Sequence, residues 1–177
     1  MKIKKIKIGV VLIVVAIVFL QSITLAAYEI NKQNESEKER KIIESKTAIL
    51  STEERDTLDL INEYRRQNGL KDLKPYSDLQ SVAKLKAEDI VNNNYFAHNS
   101  DTLGTPFEML QENNIQYKIA GENLAGNTSP LRAVQAWINS PEHRDNILEE
   151  RFEYTGIYVI NSEEYGKVFV QLFIGIW

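Results

Sequence analysis

The sequence contains no cysteine among its 177 residues. This absence excludes disulfide bonds, thiol catalysis and thiolate metal ligands, so an exported form of the chain must be held together by its own hydrophobic core. It also excludes the lipoprotein type of membrane anchor, in which a lipid is attached to a cysteine. Histidine is nearly as scarce, since His98 and His143 are the only two imidazoles in the chain.

The short motifs of several enzyme classes are also missing. The sequence has no Gly-x-Ser-x-Gly motif and no glycine-rich phosphate loop, and its histidines do not form the local His-Glu-x-x-His pattern of metalloproteases. The serines nearest a histidine, Ser100 and Ser140, lie at ordinary turn and helix-cap positions. Serine-nucleophile hydrolysis is therefore disfavoured.

Outside the N-terminus, basic residues are outnumbered by acidic ones. Residues 1–27 contain four lysines and no acidic residue, so the rest of the chain has 17 basic and 25 acidic side chains and a net charge of −8. Such a surface is repelled by nucleic acid and by anionic lipid head groups. The charge pattern predicts no nucleic-acid partner, and membrane contact only through the N-terminal segment.

The N-terminal segment has the pattern of an export signal. Its lysines precede an apolar run over residues 8–20, and no charged side chain occurs between Lys7 and Glu29. Leu25-Ala26-Ala27 offers small residues near a plausible cleavage point. The uncharged run is also close to the ~20 residues that span a bilayer. Residues 1–27 are therefore either a signal peptide or a membrane anchor, and in both cases the remainder is exported.

The rest of the chain divides into a spacer and one domain. Residues 28–51 are polar and highly charged, which predicts a spacer that is partly helical. Residues 52–177 are enough for a single domain of ordinary size.

Helix-start signals recur through this domain. Ser51-x-x-Glu54, Ser77-x-x-Gln80 and Thr105-x-x-Glu108 each have the pattern of a capping box. Ser129-Pro130 and Ser140-Pro141 predict two further starts, because proline fits the first position of a helix. Apolar residues follow at helical spacing and predict these buried positions: Leu58, Ile61, Tyr64, Leu79, Val82, Ala83, Ala87, Ile90, Phe107, Leu110, Leu131, Val134, Trp137 and Ile138.

Three segments have the pattern of strands, over residues 116–120, 154–160 and 168–177. The last is apolar apart from Gln171, as expected of a strand that is covered on both faces. Helices before and after a small sheet indicate an α+β domain, a three-layer α/β/α sandwich.

Candidate chemistry is concentrated in three short segments. His98 follows Tyr95 and Phe96 in a loop between two helices, and we expect Phe96 to be a core residue rather than part of a ligand groove. Glu122 follows a predicted strand, and His143 lies in the first turn of the helix after Ser140-Pro141. Two imidazoles and a carboxylate suit zinc or a similar ion, and they also suit acid–base chemistry on a water molecule. We expect the fold to bring the two histidines and Glu122 into one polar cleft.

Four segments, in this order, resemble the CAP superfamily. They are Tyr95-Phe96-Ala97-His98, Gly121-Glu122-Asn123-Leu124-Ala125, Trp137-x-x-Ser140-Pro141-Glu142-His143-Arg144-x-x-Ile147-Leu148 and Phe169-Val170-Gln171-Leu172-Phe173. The superfamily includes cysteine-rich secretory proteins, insect antigen 5 and plant pathogenesis-related proteins. The chain is most similar to its bacterial SCP-like extracellular branch, over residues 52–177.

The resemblance implies an α/β/α sandwich with a cleft that carries two histidines and two glutamates and can hold a divalent metal, often zinc. The matching metal positions are His98, Glu122 and His143. Ser140 stands where many relatives have the second glutamate, and Glu142 is a nearby substitute whose position also suits the helix dipole. We expect Asn123, Ser140 and Glu142 to line the ligand-binding cleft.

The resemblance does not supply one reaction, because members have been linked to sterol or lipid binding, cell-wall association, signalling and, in isolated cases, proteolysis. We expect an exported or membrane-tethered bacterial domain that acts as an extracellular, cell-wall-associated binding module rather than an enzyme. Its ligand would be a cell-wall component or a small amphipathic molecule. The alternative is a metal-assisted hydrolase of peptide or cell-wall material, with Glu122 as the base. A purely structural surface protein is a third possibility.

Overall fold

The structure is a computed structural model that describes the backbone of residues 2–176 and the side chains of residues 17–43 and 45–176. The chain forms two compact units, Met1–Lys41 and Ile42–Trp177. Helix α1 (Lys2–Ser45) includes most of the charged spacer, and its residues up to Lys41 belong to the first unit while residues 42–45 belong to the second. The predicted export segment falls largely on residues 1–16, whose side chains lie outside the described part. Within the residues whose side chains are described, no helical segment is long and apolar enough to cross a bilayer.

The second unit contains five helices and four strands within residues 42–176. The helices are α2 (Thr52–Gln67), α3 (Ser77–Asn92), α4 (Pro106–Glu112), α5 (Pro130–Asn139) and α6 (Pro141–Leu148). The strands are β1 (Lys74–Pro75), β2 (Ile119–Asn127), β3 (Tyr154–Ser162) and β4 (Gly166–Gly175). The capping boxes at Ser51 and Thr105 are both formed, and the Ser129 side chain accepts a hydrogen bond at the start of α5, as predicted.

One four-stranded sheet, in the order β1-β3-β4-β2, forms the middle layer. Strand β1 runs parallel to β3, and the other neighbours are antiparallel. Helices α3 and α4 pack on one face of the sheet, and α2, α5 and α6 pack on the other. The α/β/α sandwich predicted from the sequence is confirmed.

Strand β4 lies in the middle of the core and is covered on both faces, as predicted. Its residues alternate between the two layers because successive side chains of a strand point to opposite faces. Val170 and Leu172 join the cluster around α3, whereas Phe169 and Phe173 join the cluster around Trp137 of α5.

Helix α3 approaches strand β3 very closely at Gly156. A Cβ atom at this position would lie 2.3 Å from the backbone carbonyl carbon of Leu79, a distance that real Cβ atoms do not show. Glycine therefore allows α3 to lie directly against the sheet, and α3 carries the polar groups that support the site described below.

Two predicted helix features are wrong. The Ser77 capping box does not form, because Ser77 is already the first helical residue and Tyr76 occupies the cap position without a side-chain cap bond. Phe107 and Leu131 are both 52% exposed rather than buried. Each is the second residue of its helix, and helical spacing does not reveal whether the end of a short helix extends past the sheet.

The bounds of two segments also differ from the prediction. The strand predicted over residues 116–120 instead covers Ile119–Asn127, because the polar residues of the Gly-Glu-Asn motif interrupt the apolar pattern without interrupting the strand. The compact unit begins at Ile42, ahead of the predicted boundary at residue 52. Ile43 and Ala48 are buried, and Thr47 forms a bridge with Tyr76.

Candidate functional site

The edge strand β2 carries neighbouring polar residues to opposite faces of the sheet. Glu122 is paired with Leu172, and Asn123 is paired with Gln171. Since side chains alternate along a strand, Glu122 points toward the α3 layer and Asn123 toward the layer of α5 and α6. The candidate site therefore lies around the free edge of the sheet rather than on one face.

Glu122 and His98 are in direct contact, as the predicted cleft requires. His98 Nδ1 lies 2.7 Å from Glu122 Oε1, and the Glu122 side chain is 3% exposed whereas that of His98 is 53% exposed. This hydrogen bond raises the pKa of His98 above its ordinary value, against the opposing effect of burial. The other carboxylate oxygen, Glu122 Oε2, is buried and has no hydrogen-bond partner among the residues that the structure describes.

His143 lies beside this pair, on the first turn of α6. Its ring centroid is 6.5 Å from that of His98. Burial and then the charge of His98 lower the pKa of His143, and Glu142 opposes this effect. The structure therefore brings the two histidines and Glu122 into one region. Within the described side chains, no three histidine, aspartate or glutamate groups are close enough together to hold an ion as they stand.

Asn123 connects β2 to α6 instead of facing the cleft. It is fully buried, its Nδ2 donates to the backbone carbonyl of His143 over 3.1 Å, and its Oδ1 accepts from Asn146 Nδ2 over 2.9 Å. Gly121 makes room for this connection, because a Cβ there would lie 3.0 Å from Asn146 Oδ1 and 3.0 Å from Phe152 Cζ. The motif Gly-Glu-Asn thus positions α6 as well as supplying the carboxylate.

Ser140 and Glu142 are less closely tied to the predicted cleft. Ser140 joins α5 to α6, and its side chain makes no cap hydrogen bond to α6. Glu142 is exposed on the first turn of α6. Its negative charge favours the protonated form of both histidines, which adds to the rise in the pKa of His98 and opposes the fall in the pKa of His143. We therefore describe Glu142 as an electrostatic neighbour of the histidines.

The backbone of α6 is fixed at its C-terminal end by Arg65. This fully buried side chain donates to the carbonyls of Ile147, Glu149 and Phe152 over 2.6, 3.1 and 3.3 Å. Because carbonyls at a helix C-terminus have no partner within the helix, the guanidinium satisfies them and holds the helix that carries His143.

Sequence reasoning missed the polar groups behind His98. Lys86 of α3 is completely buried and donates to the His98 carbonyl over 2.8 Å and to the Tyr95 hydroxyl over 2.9 Å. Tyr95 also donates to Asp89, which lies one helical turn further along α3. A signal was present, because Lys86 falls in line with Val82 and Ile90 on the buried stripe of α3 at a spacing of four residues.

Asp89 holds the rest of the loop that carries His98. Its carboxylate accepts from Ser100 Oγ over 2.6 Å and from Thr102 Oγ1 over 2.6 Å. These bonds lower the pKa of Asp89, although burial alone would raise it. The core position predicted for Phe96 is wrong, since this residue is 40% exposed and its ring lies 5.0 Å from that of Tyr165.

With this geometry described, comparison with known proteins identifies the family. The profile of the cysteine-rich secretory protein family, CAP, matches residues 58–173. The chain belongs to the CAP family. The match includes both histidines and Glu122, so the site lies within the part that defines the family.

Bacterial proteins are among those similar to this CAP domain. The Bacillus subtilis protein YkwD is 39% identical over 132 residues, which cover 74% of this chain and 50% of YkwD. A Bacillus anthracis extracellular protein containing an SCP domain has a solved structure with a TM-score of 0.64 and 33% identity, covering 72% of this chain and 45% of that one. An outer surface protein of Borrelia burgdorferi gives a TM-score of 0.65 and 26% identity, covering 73% and 97%. The chain spans about half the length of the two Bacillus proteins.

The CAP site fits a divalent cation in its chemistry. Imidazole and carboxylate groups are the ligands that zinc accepts in the absence of thiolates. Glu122 Oε2 is a buried carboxylate oxygen without a hydrogen-bond partner among the described residues, and a buried polar atom needs a hydrogen-bond donor or a cation to offset its loss of hydration. His98 and His143 are the residues whose ring nitrogens would hold the ion, and Glu122 would orient His98 through its contact with Nδ1.

Proposed function

We propose that this CAP domain is an extracellular binding domain, cell-wall-associated in a bacterium, whose cleft takes a divalent cation such as zinc together with a polar or amphipathic ligand. The observation that carries the proposal is the state of the Glu122 carboxylate. One of its oxygens contacts His98 Nδ1, and the other is buried without a hydrogen-bond partner in the described part of the chain.

The contact between Glu122 and His98 supports metal binding through a known arrangement. A histidine that ligates a metal through one ring nitrogen usually donates its other N–H to a carboxylate or a carbonyl. With Nδ1 directed at Glu122, the Nε2 atom of His98 is the nitrogen available to a ligand. His143 supplies a second imidazole, and the fall in its pKa favours the neutral form that binds metals.

The extracellular location rests on the relatives and on the N-terminal sequence. The Bacillus anthracis protein is described as extracellular and the Borrelia burgdorferi protein as an outer surface protein. The lysines and the apolar run of residues 1–27 have the pattern of a signal peptide or an anchor. Together these features favour a domain held at or released from the cell surface, where a cell-wall component is the expected partner.

Zinc titration calorimetry on metal-free protein tests the cation site. We expect about one equivalent of zinc to bind to the native chain, and His98→Ala and His143→Ala each to abolish that binding without unfolding the domain. Glu112→Gln is the control, because it removes an exposed carboxylate of α4 that has not been assigned to the site. Binding that survives both histidine substitutions would rule the site out.

The alternative function is metal-assisted hydrolysis of peptide or cell-wall material. The observation in its favour is that the buried Glu122 carboxylate, a candidate base, lies directly beside an imidazole that would hold the ion. A bound ion would supply Lewis-acid chemistry. Release of fragments from peptides or isolated cell walls, lost in Glu122→Gln, would favour the hydrolase. Binding to cell walls without any release favours the binding domain.

A further inference from the structure

Lys86 is a buried cation in a helix stripe that is otherwise apolar. It has no exposed surface, and its neighbours along the stripe, Val82 and Ile90, are also fully buried. Charged groups are rarely buried completely, because the loss of hydration is large unless hydrogen bonds compensate for it. The position of Lys86 therefore calls for a reason beyond packing.

The ammonium group of Lys86 binds the loop that carries His98 at two points. It donates to the backbone carbonyl of His98 itself and to the hydroxyl of Tyr95, three residues earlier. The hydroxyl of Tyr95 in turn donates to Asp89 on the same helix. The His98 backbone is thus tied to α3 directly by Lys86 and indirectly through Tyr95 and Asp89.

The positive charge of Lys86 also acts on Glu122 and His98. Glu122 and Asp89 are near enough to favour its protonated form, whereas burial lowers its pKa. His98 is near enough to Lys86 for their positive charges to oppose each other. A cation at this position compensates part of the negative charge of the buried Glu122 carboxylate.

We propose that Lys86 is a positioning residue for His98: its hydrogen bond to the His98 carbonyl holds the imidazole against Glu122 with Nε2 free for a ligand. This inference rests on the proposed function for its purpose, since it assigns the support of the same site. Its geometric content stands independently, because the contact between His98 and Glu122 can be measured without any metal.

The test compares two lysine-to-methionine substitutions on the same helix. Lys86→Met keeps the length and apolar stem of the side chain and removes both its hydrogen bonds and its charge. Lys84→Met is the matched control, because the Lys84 side chain is 51% exposed and is paired with Glu88. Both variants are studied as the full chain in the presence of a chelator, and circular dichroism checks the fold.

The readout is the protonation of the two ring nitrogens of His98, measured by long-range proton–nitrogen NMR above its pKa. In the native chain and in Lys84→Met we expect the proton on Nδ1, because that nitrogen faces Glu122. In Lys86→Met we expect this signature to be lost and the nitrogen shifts to move toward those of a solvated histidine. A folded Lys86→Met variant that retains the Nδ1 signature would overturn the proposal.

Lys86→Gln decides the question if Lys86→Met does not fold. It keeps a polar group in the buried position, but its shorter side chain withdraws the donor from the His98 carbonyl. We expect the Nδ1 signature to be lost, and a folded Lys86→Gln variant that retains it would contradict the role of Lys86.

Zinc affinity gives a second readout that depends on the proposed function. Loss of a group that supports a metal ligand typically weakens binding by about 10- to 100-fold. We expect a decrease of this size in Lys86→Met and unchanged affinity in Lys84→Met. If the native chain binds no zinc, the proposed cation site fails, while the NMR signature still decides whether Lys86 positions His98. Equal zinc affinity in the native chain and a folded Lys86→Met variant would count against the proposal.

Discussion

His98 and His143 are close neighbours whose surroundings move their pKa values in opposite directions. The hydrogen bond to the Glu122 carboxylate raises the pKa of His98, and burial lowers that of His143. A group whose pKa is raised by folding stabilises the protein fully below its unfolded value, about 6.5 for histidine, and this contribution is lost as the pH rises through the folded value. A group whose pKa is lowered contributes above the unfolded value and loses that contribution as the pH falls through the folded value.

The pH dependence of stability should therefore separate the two histidines. In metal-free protein, we expect His98→Asn to remove a decrease in the free energy of unfolding that the native chain shows as the pH rises above about 6.5. His143→Asn should instead remove a decrease that the native chain shows as the pH falls below about 6.5. Urea unfolding between pH 5 and pH 9, in chelator, measures both effects. Parallel pH profiles for the two variants would contradict these opposite shifts.

Sequence reasoning singled out His98, Glu122 and His143 but not the groups that support them. The two histidines are the only ones in the chain, and Glu122 lies in a recognisable motif. The sequence predicted that these residues share a cleft, whereas the contact between His98 and Glu122 joins positions 24 residues apart through tertiary packing. Lys86 was detectable as a charge on a buried stripe, whereas its bond to the His98 carbonyl depends on a loop conformation that no local pattern predicts.

At the scale of elements, local signals were reliable where local hydrogen bonds determine the structure. The Ser51 and Thr105 boxes formed because both partners of each box lie within one helix turn. The Ser77 box failed because Tyr76 donates its backbone N–H to Thr155 of β3 over 3.0 Å, so sheet pairing sets where α3 begins. Gln80, the other half of the expected box, instead donates to Glu54 over 3.0 Å.

The C-terminal end of helix α6 provides a prediction at this scale, which is tested at two adjacent arginines of α2. Arg65→Met would leave the carbonyls of Ile147, Glu149 and Phe152 buried without their donor. We expect the free energy of unfolding to fall by roughly 3 kcal/mol, because a buried polar group without its partner loses about 1–3 kcal/mol. Urea unfolding measures the loss.

Arg66→Met is the matched control for this prediction. Arg66 is paired with Asp72 at the surface, where an ion pair contributes at most ~1 kcal/mol. Equal losses for the two arginine variants would show that Arg65 does not hold the end of α6.

At the scale of the whole molecule, the second compact unit extends beyond the residues that match the family profile. The profile match begins at residue 58, whereas the compact unit begins at Ile42. Ala48 donates its backbone N–H to Pro75 over 3.4 Å, which adds the segment before α2 to the start of the sheet. Composition suggested a spacer there, because charged residues surround the few apolar ones that pack.

Two adjacent isoleucines test where the domain begins. Ile43 is 8% exposed and belongs to the core around α3, whereas Ile42 is 48% exposed. We expect Ile43→Ala to reduce the free energy of unfolding by about 2 kcal/mol, near the lower end for a buried isoleucine, and Ile42→Ala to change it by less than ~0.5 kcal/mol. Thermal and urea unfolding of the full chain measure both changes. A neutral Ile43→Ala would place the start of the domain after this residue.

The edge strand β2 has a consequence for contacts with other protein molecules. Trp137 Nε1 donates to the carbonyl of Leu124 over 2.9 Å, and Asn146 Nδ2 donates to that of Glu122 over 3.2 Å. An unfolded segment of another molecule that tried to extend the sheet would find these two acceptors already engaged by indole and amide. Trp137 and Asn146 therefore discourage pairing of this edge strand with a strand of a neighbouring copy.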